Sequence, residues 1–124
     1  MSRRVVISGL GPVSGLGIGI DPTWTGACAG RSAIRRIDAF DPAGFDCQIG
    51  AQTPGFKISQ FVPKTYRKAT KVMSRDIELA VVTADQAARD ARLNTPGTAA
   101  ASQGSNRIEP TYDPTRVGCH IGAG

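Results

Sequence analysis

Cys119 and His120 stand side by side near one end of the chain. A thiol beside an imidazole is the raw material of a nucleophile–base pair. Near the other end, Gly9-Leu10-Gly11-Pro12-Val13-Ser14-Gly15-Leu16-Gly17 follows a short apolar run, the setting of a phosphate-cradling loop. Between them, Lys57, Lys64, Arg67, Lys68, Lys71 and Arg75 fall in a stretch from Cys47 to Arg75 that holds no Asp or Glu. Such a stretch attracts an anionic partner.

Each feature also has a plainer reading. Residues 116–121 read as a strand, and neighbours on a strand point to opposite faces, so Cys119 and His120 are expected to be apart and the thiol packed. The dinucleotide fingerprint needs glycine at its first, third and sixth positions. Gly9 and Gly11 fit the first two, but Ser14 takes the sixth. A crowded turn is therefore preferred, and a nucleotide-binding module is the weaker alternative. If 64–75 is helical, Lys64, Arg67, Lys68, Lys71 and Arg75 share one face and Tyr66, Ala69 and Met73 another. A solvated face is the ordinary meaning of such a run. Nucleic-acid binding would call for aromatic platforms, and Tyr66 is the only aromatic within the basic run.

The totals exclude several classes. The 124 residues carry a net charge of +5, with 20% charged and 40% hydrophobic residues, so the chain is neither a disordered tail nor a membrane protein. No run approaches the roughly 18–20 apolar residues that span a bilayer. Three widely spaced cysteines and one histidine make no zinc site, and no metal or cofactor is expected. Reduced, mostly buried thiols in a cytoplasmic protein are expected instead. Ser2-Arg3-Arg4 before an apolar run imitates an export signal. The five glycines and the proline that follow make a poor hydrophobic helix, which argues against it.

The elements that must position these residues form an α/β pattern. Val5-Val6-Ile7 is short, β-branched and apolar on both faces, as an interior strand of a covered parallel sheet would be. Asp21 is expected to N-cap a helix with Pro22 at its first position, Trp24, Ala27 and Cys28 on its apolar side and Gly30 just past its end. Residues 31–62 read as irregular, with a short edge strand at 47–52. A basic helix is expected from Lys64 to Met73. Ser74 then opens a longer helix with Ile77, Ala80, Val81, Ala84, Ala87, Ala88 and Ala91 at helical spacing, and Leu79 and Val82 on a second apolar face. Thr95 to Thr115 reads as a mobile loop before the second strand. Two interior-type strands make one crossover rather than a sheet, so the chain is expected to need further polypeptide to cover them.

The order of "RRVVISGLGPVSGLGIG" (3–19), Trp24, "AGRSAIRRIDAFDPAGF" (29–45), "KVMSRDIELAV" (71–81) and "RVGCHIGAG" (116–124) resembles the condensing enzymes of the β-ketoacyl-acyl-carrier-protein synthase type. The loop 95–115 stands outside that pattern as an insertion. The resemblance implies that residues 1–124 are the N-terminal part of a thiolase-like, five-layered αβαβα ketosynthase domain. It implies decarboxylative Claisen condensation of an acyl group with malonyl units on acyl carrier protein, in a homodimer. The family's nucleophilic Cys and two His would lie beyond Gly124, so no catalytic residue is expected within these 124. It also implies that the Lys64, Arg67, Lys68, Lys71 and Arg75 face docks the acidic carrier protein, and that Gly122, Ala123 and Gly124 edge the acyl pocket. A non-catalytic partner subunit of a ketosynthase-like complex is the other reading.

Overall fold

The computed structural model describes residues 4–99 and 109–122. The chain divides into two units, residues 12–56 and a second formed by 1–11 with 57–124.

The first unit holds two hairpins and a helix. Strand β1 (Val13–Ser14) pairs antiparallel with β2 (Gly17–Ile18), so the glycine-rich segment folds as a tight hairpin. The Ser14 hydroxyl accepts from the Leu16 N–H at 3.2 Å and fixes the turn. Helix α1 spans Ile20–Cys28, with Gly19 rather than Asp21 as its N-cap. Asp21 lies in the first turn, where its charge favours the helix dipole without capping it. Gly30 sits at φ +64°. Its N–H bonds Ala27 O at 3.0 Å and the Arg31 N–H bonds Gly26 O at 2.9 Å, closing a Schellman motif where the sequence placed the helix end. Trp24, expected on the apolar side of α1, is 69% exposed; buried Gly26 instead meets Leu16.

Strands β3 (Ile34–Arg36) and β4 (Ile49–Ala51) form the second antiparallel hairpin, with Arg35 opposite Gly50. The edge strand expected at 47–52 is present as β4. Its partner β3 lies in a stretch expected to be irregular, because three residues with two arginines show no strand periodicity. Phe40 and Phe45 close the loop between them edge-to-face, with ring centroids 5.7 Å apart.

The second unit is built on helix α2 (Arg75–Asp90), which begins after Ser74 as expected. The Ser74 side chain makes no cap bond; its carbonyl accepts from the Glu78 N–H at 3.0 Å. Val82 is fully buried, so the second apolar face of α2 carries the core position, while Ile77 on the first is 48% exposed. Gly9 and Gly11 lie directly on this helix. A Cβ on Gly11 would fall 2.1 Å from Thr83 O, and one on Gly9 2.4 Å from Ala87 O. The Leu10 N–H donates to Asp90 Oδ2 at 2.9 Å. These glycines are needed for the close approach of a helix backbone rather than for the dihedral freedom of a crowded turn, since neither has a positive φ.

Three expectations for this unit are corrected. Val5–Ile7 and residues 117–122 form no strands: Val5, Val6 and Ile7 are 81–94% exposed, and Val117 and Ile121 about 60%. An interior strand needs ladder partners at both edges, and both sheets among the described residues are two-stranded and antiparallel. The basic segment is two 3-10 turns, Lys64–Tyr66 and Ala69–Val72, rather than one α-helix. Like charges at helical spacing repel, and the Thr70 hydroxyl donates to Arg67 O at 2.8 Å, competing with the helical ladder. Part of the loop expected at 95–115 is ordered into helix α3 (Pro96–Ala99). The Thr98 N–H donates to Thr95 Oγ1 at 3.1 Å and the Thr95 N–H to Thr98 Oγ1 at 2.9 Å, a reciprocal cap with proline at the first helical position. The Asn94 N–H then donates to Thr111 Oγ1 at 2.7 Å and ties the far side of the loop down.

Candidate functional site

Lys64, Arg67, Lys68 and Lys71 are exposed, and among the described residues none of them is in an ion pair. A 3-10 turn brings positions three apart onto one edge, so Lys64 with Arg67 and Lys68 with Lys71 form two cationic pairs. Arg75 differs. It sits at the start of α2, and its Nη1 holds Glu78 Oε2 at 3.0 Å. The five-residue face expected from a single helix is therefore a cluster of four cations, with Arg75 neutralised beyond a break at Met73–Ser74.

The same turns present a second feature. Tyr66, Ala69 and Met73 line a groove of about 430 Å³ with Phe61 and with Val81 and Ala88 of α2. The separation of these three from the cations, expected for an α-helix, survives in the 3-10 turns. The groove walls are almost wholly apolar. Asp85 also reaches the groove, and Arg89 Nε donates to its Oδ2 at 2.8 Å. That hydrogen bond raises the Arg89 guanidinium pKa above its ordinary value. Sequence reasoning missed the groove because the α3 wall comes from a segment expected to be loop. The spacing of Tyr66, Ala69 and Met73 was its one signal.

Along another side of α2, Gly122 lines a groove of about 500 Å³ with Cys119, His120 and residues Leu79, Ala80 and Thr83 of the helix. Ala123 and Gly124 lie outside the described residues. Cys119 and His120 face the same groove, so the alternation expected of a strand does not hold. No hydrogen bond joins the thiol to the imidazole among the described residues. Cys28, Cys47 and Cys119 are all free and exposed, contrary to the expectation of buried thiols. With Ile58 and Val82 the buried hydrophobic residues of the described chain, the core offers the cysteines little room.

A family model for the N-terminal domain of β-ketoacyl synthases matches residues 2–124. The chain belongs to the β-ketoacyl synthase family. It is 35% identical over 91 residues to 3-oxoacyl-[acyl-carrier-protein] synthase 2 of Synechocystis sp., a match covering 73% of this chain and 21% of that protein. It is 38% identical over 98 residues to a protein assigned as polyketide β-ketoacyl synthase 1 in Streptomyces halstedii, covering 77% of this chain and 22% of the relative. Among solved structures, the ishigamide ketosynthase/chain length factor aligns with a TM-score of 0.59 at 34% identity, over 73% of this chain and 22% of that one. The chain thus spans between a fifth and a quarter of the length of these relatives. The ketosynthase likeness fits the start of a thiolase-like fold, of which the present residues form a small mixed helix-and-sheet part.

Proposed function

We propose that the β-ketoacyl synthase containing this segment joins an acyl group to a malonyl unit on acyl carrier protein, with loss of carbon dioxide, in fatty-acid or polyketide synthesis. The observation that carries the reading is the exposed, acid-free cluster Lys64, Arg67, Lys68 and Lys71, in a chain matched by the family model over residues 2–124. The name of the Synechocystis relative includes the acyl carrier protein. An acidic carrier would relieve the repulsion within the cluster and be steered onto it.

In this reading the segment supplies scaffold and docking surface, and the nucleophilic Cys and the two His come from elsewhere in the synthase. Gly122 edges the acyl pocket, where a small residue lets a chain approach closely. The synthase works as a cytoplasmic homodimer. No helix among the described residues is long and apolar enough to cross a membrane.

Reversing Arg67 and Lys68 to Glu in the intact synthase tests the docking role. Removing one exposed charge pair costs roughly 0.2–1 kcal/mol, so the Michaelis constant for carrier-bound substrate should rise about tenfold when two are reversed. The constant for a small thioester should change far less. Equal effects on both substrates would show that the residues support folding rather than docking. The purified 124-residue chain should show no acyl transfer from a radiolabelled donor above a no-protein control.

A second reading has one observation in its favour: the aligned solved structure pairs a ketosynthase with a chain length factor. The segment would then belong to a non-catalytic partner subunit. Covalent acylation of the intact protein by a radiolabelled acyl donor separates the two, since only a ketosynthase keeps the label.

A further inference from the structure

We propose that Thr70 is the acceptor of a phosphoryl group from a Ser/Thr kinase, and that the phosphate switches off carrier docking at the basic cluster. The switch rests on that docking and governs it. Thr65, Thr70 and Ser74 are the aliphatic hydroxyls of residues 64–74. Thr70 follows Arg67 by three residues and Lys68 by two, a charge pattern that a kinase with an acidic cleft reads. Thr65 has the uncharged Val62 three residues before it. Ser74 has Lys71 there, but it opens α2, whose first turn carries Asp76 and Glu78. Those acids oppose a phosphate at Ser74.

The backbone around Thr70 is built to open. In the closed segment Thr70 is half-buried and its hydroxyl donates to Arg67 O at 2.8 Å. The Arg67 N–H reaches Lys64 O at 3.3 Å, the Lys71 N–H reaches Lys68 O at 3.4 Å and the Met73 N–H reaches Thr70 O at 3.5 Å. These bonds are longer than the usual spacing of about 2.9–3.0 Å, and neither 3-10 turn has a side-chain cap bond. Local opening therefore costs little and frees the hydroxyl. In the transfer the bond from Thr70 Oγ1 to the γ-phosphorus of a nucleoside triphosphate forms. The bond to the β-phosphate oxygen breaks, the nucleoside diphosphate leaves, and the hydroxyl proton passes to the kinase's carboxylate. The new group carries a charge of about −1.5 to −2, enough to cancel roughly half of the four cations Lys64, Arg67, Lys68 and Lys71. Arg67 stands one 3-10 turn away and Lys71 adjoins Thr70, so the phosphate takes up their donors. An acidic carrier then meets a weakened field with a like charge inside it.

The test treats the intact synthase with radiolabelled ATP and a kinase that selects arginine three residues before its acceptor, and locates the label by mass spectrometry of peptides. Label should sit on Thr70, disappear in Thr70→Val and return in Thr70→Ser, which keeps the hydroxyl. No label, or label on Thr65 or Ser74 alone, overturns the site. The phosphorylated synthase is then compared with the unmodified one by fluorescence anisotropy with labelled acyl carrier protein. Phosphorylation should weaken binding roughly three- to tenfold at low salt, as expected for the loss of about two exposed charge pairs, and phosphatase treatment should restore it. At high salt the two forms should bind alike. If Arg67→Glu/Lys68→Glu weakens binding and phosphorylation does not, docking stands and the switch is overturned. If neither weakens it, docking at this segment falls and the switch falls with it.

Discussion

A Cβ built on Gly11 would lie 2.1 Å from the Thr83 carbonyl, whereas one on Gly30 would meet nothing within 4 Å. The two glycines are required for different reasons. At Gly11 the α2 backbone occupies the space, so Gly11→Ala must push the segment off the helix. It should cost about 1–3 kcal/mol, read as a fall in the denaturant midpoint of the intact protein. At Gly30 the requirement is the left-handed φ of +64°. Gly30→Ala should cost about 1 kcal/mol and Gly30→Asn less, since Asn tolerates this region. Asp113 supplies a pH-dependent interaction on the same scale. The backbone N–H and the hydroxyl of Thr115 hold its carboxylate below the ordinary 3.8. Because the folded value is the lower one, the stability these hydrogen bonds add is present above the ordinary value and is lost as pH falls through the lower one. The Thr115 amide resonance should therefore titrate with a midpoint below 3.8. A transition centred above 3.8 would show that the hydrogen bonds are not made.

At the scale of elements, the proposed docking role turns on the basic segment. An α-helix from 64 to 75 would set five cations in one row, but the segment breaks into two 3-10 turns and Arg75 passes to α2. Arg75 then belongs with Glu78 in the first turn of the helix, its side chain 44% exposed. Arg75→Ala should lower stability by roughly 0.2–1 kcal/mol, as for other exposed pairs. It should change carrier binding less than Arg67→Ala does. Thermal melts and binding isotherms on the same two variants measure both effects, and a larger binding loss at Arg75 would restore the single-face reading. The ordering of α3 belongs to this scale as well. Thr95 and Thr98 cap each other around Pro96 and Gly97, and so build a groove wall from residues whose composition reads as loop.

At the scale of the molecule, exposed apolar side chains outweigh the core among the described residues. Val5, Val6 and Ile7 are more than 80% exposed and Trp24 69%, against Ile58 and Val82 buried among the described residues. Apolar surface of this extent, with a run of unpaired backbone beneath Val5–Ile7, drives association. The isolated 124-residue chain should self-associate at micromolar concentration in sedimentation, and should bind a hydrophobic dye without a cooperative melting transition. A dye-silent monomer that unfolds cooperatively would show that the chain buries these residues by itself.

Local chemistry is what the sequence determines here. Gly30 past a helix end, Ser74 before α2, the strand at 49–51 and the separation of Tyr66, Ala69 and Met73 from the cations each follow from a few neighbouring residues, and each is present. The family was legible for a related reason, since its motifs are local runs in a fixed order. The rest depends on packing between distant segments. β3 exists because β4 pairs with it, and the groove beside the basic segment exists because α2 and α3 supply its other walls. Val5–Ile7 and the segment after Arg116 have the composition of strands without being strands, because a strand is completed only by the ladder of a neighbour.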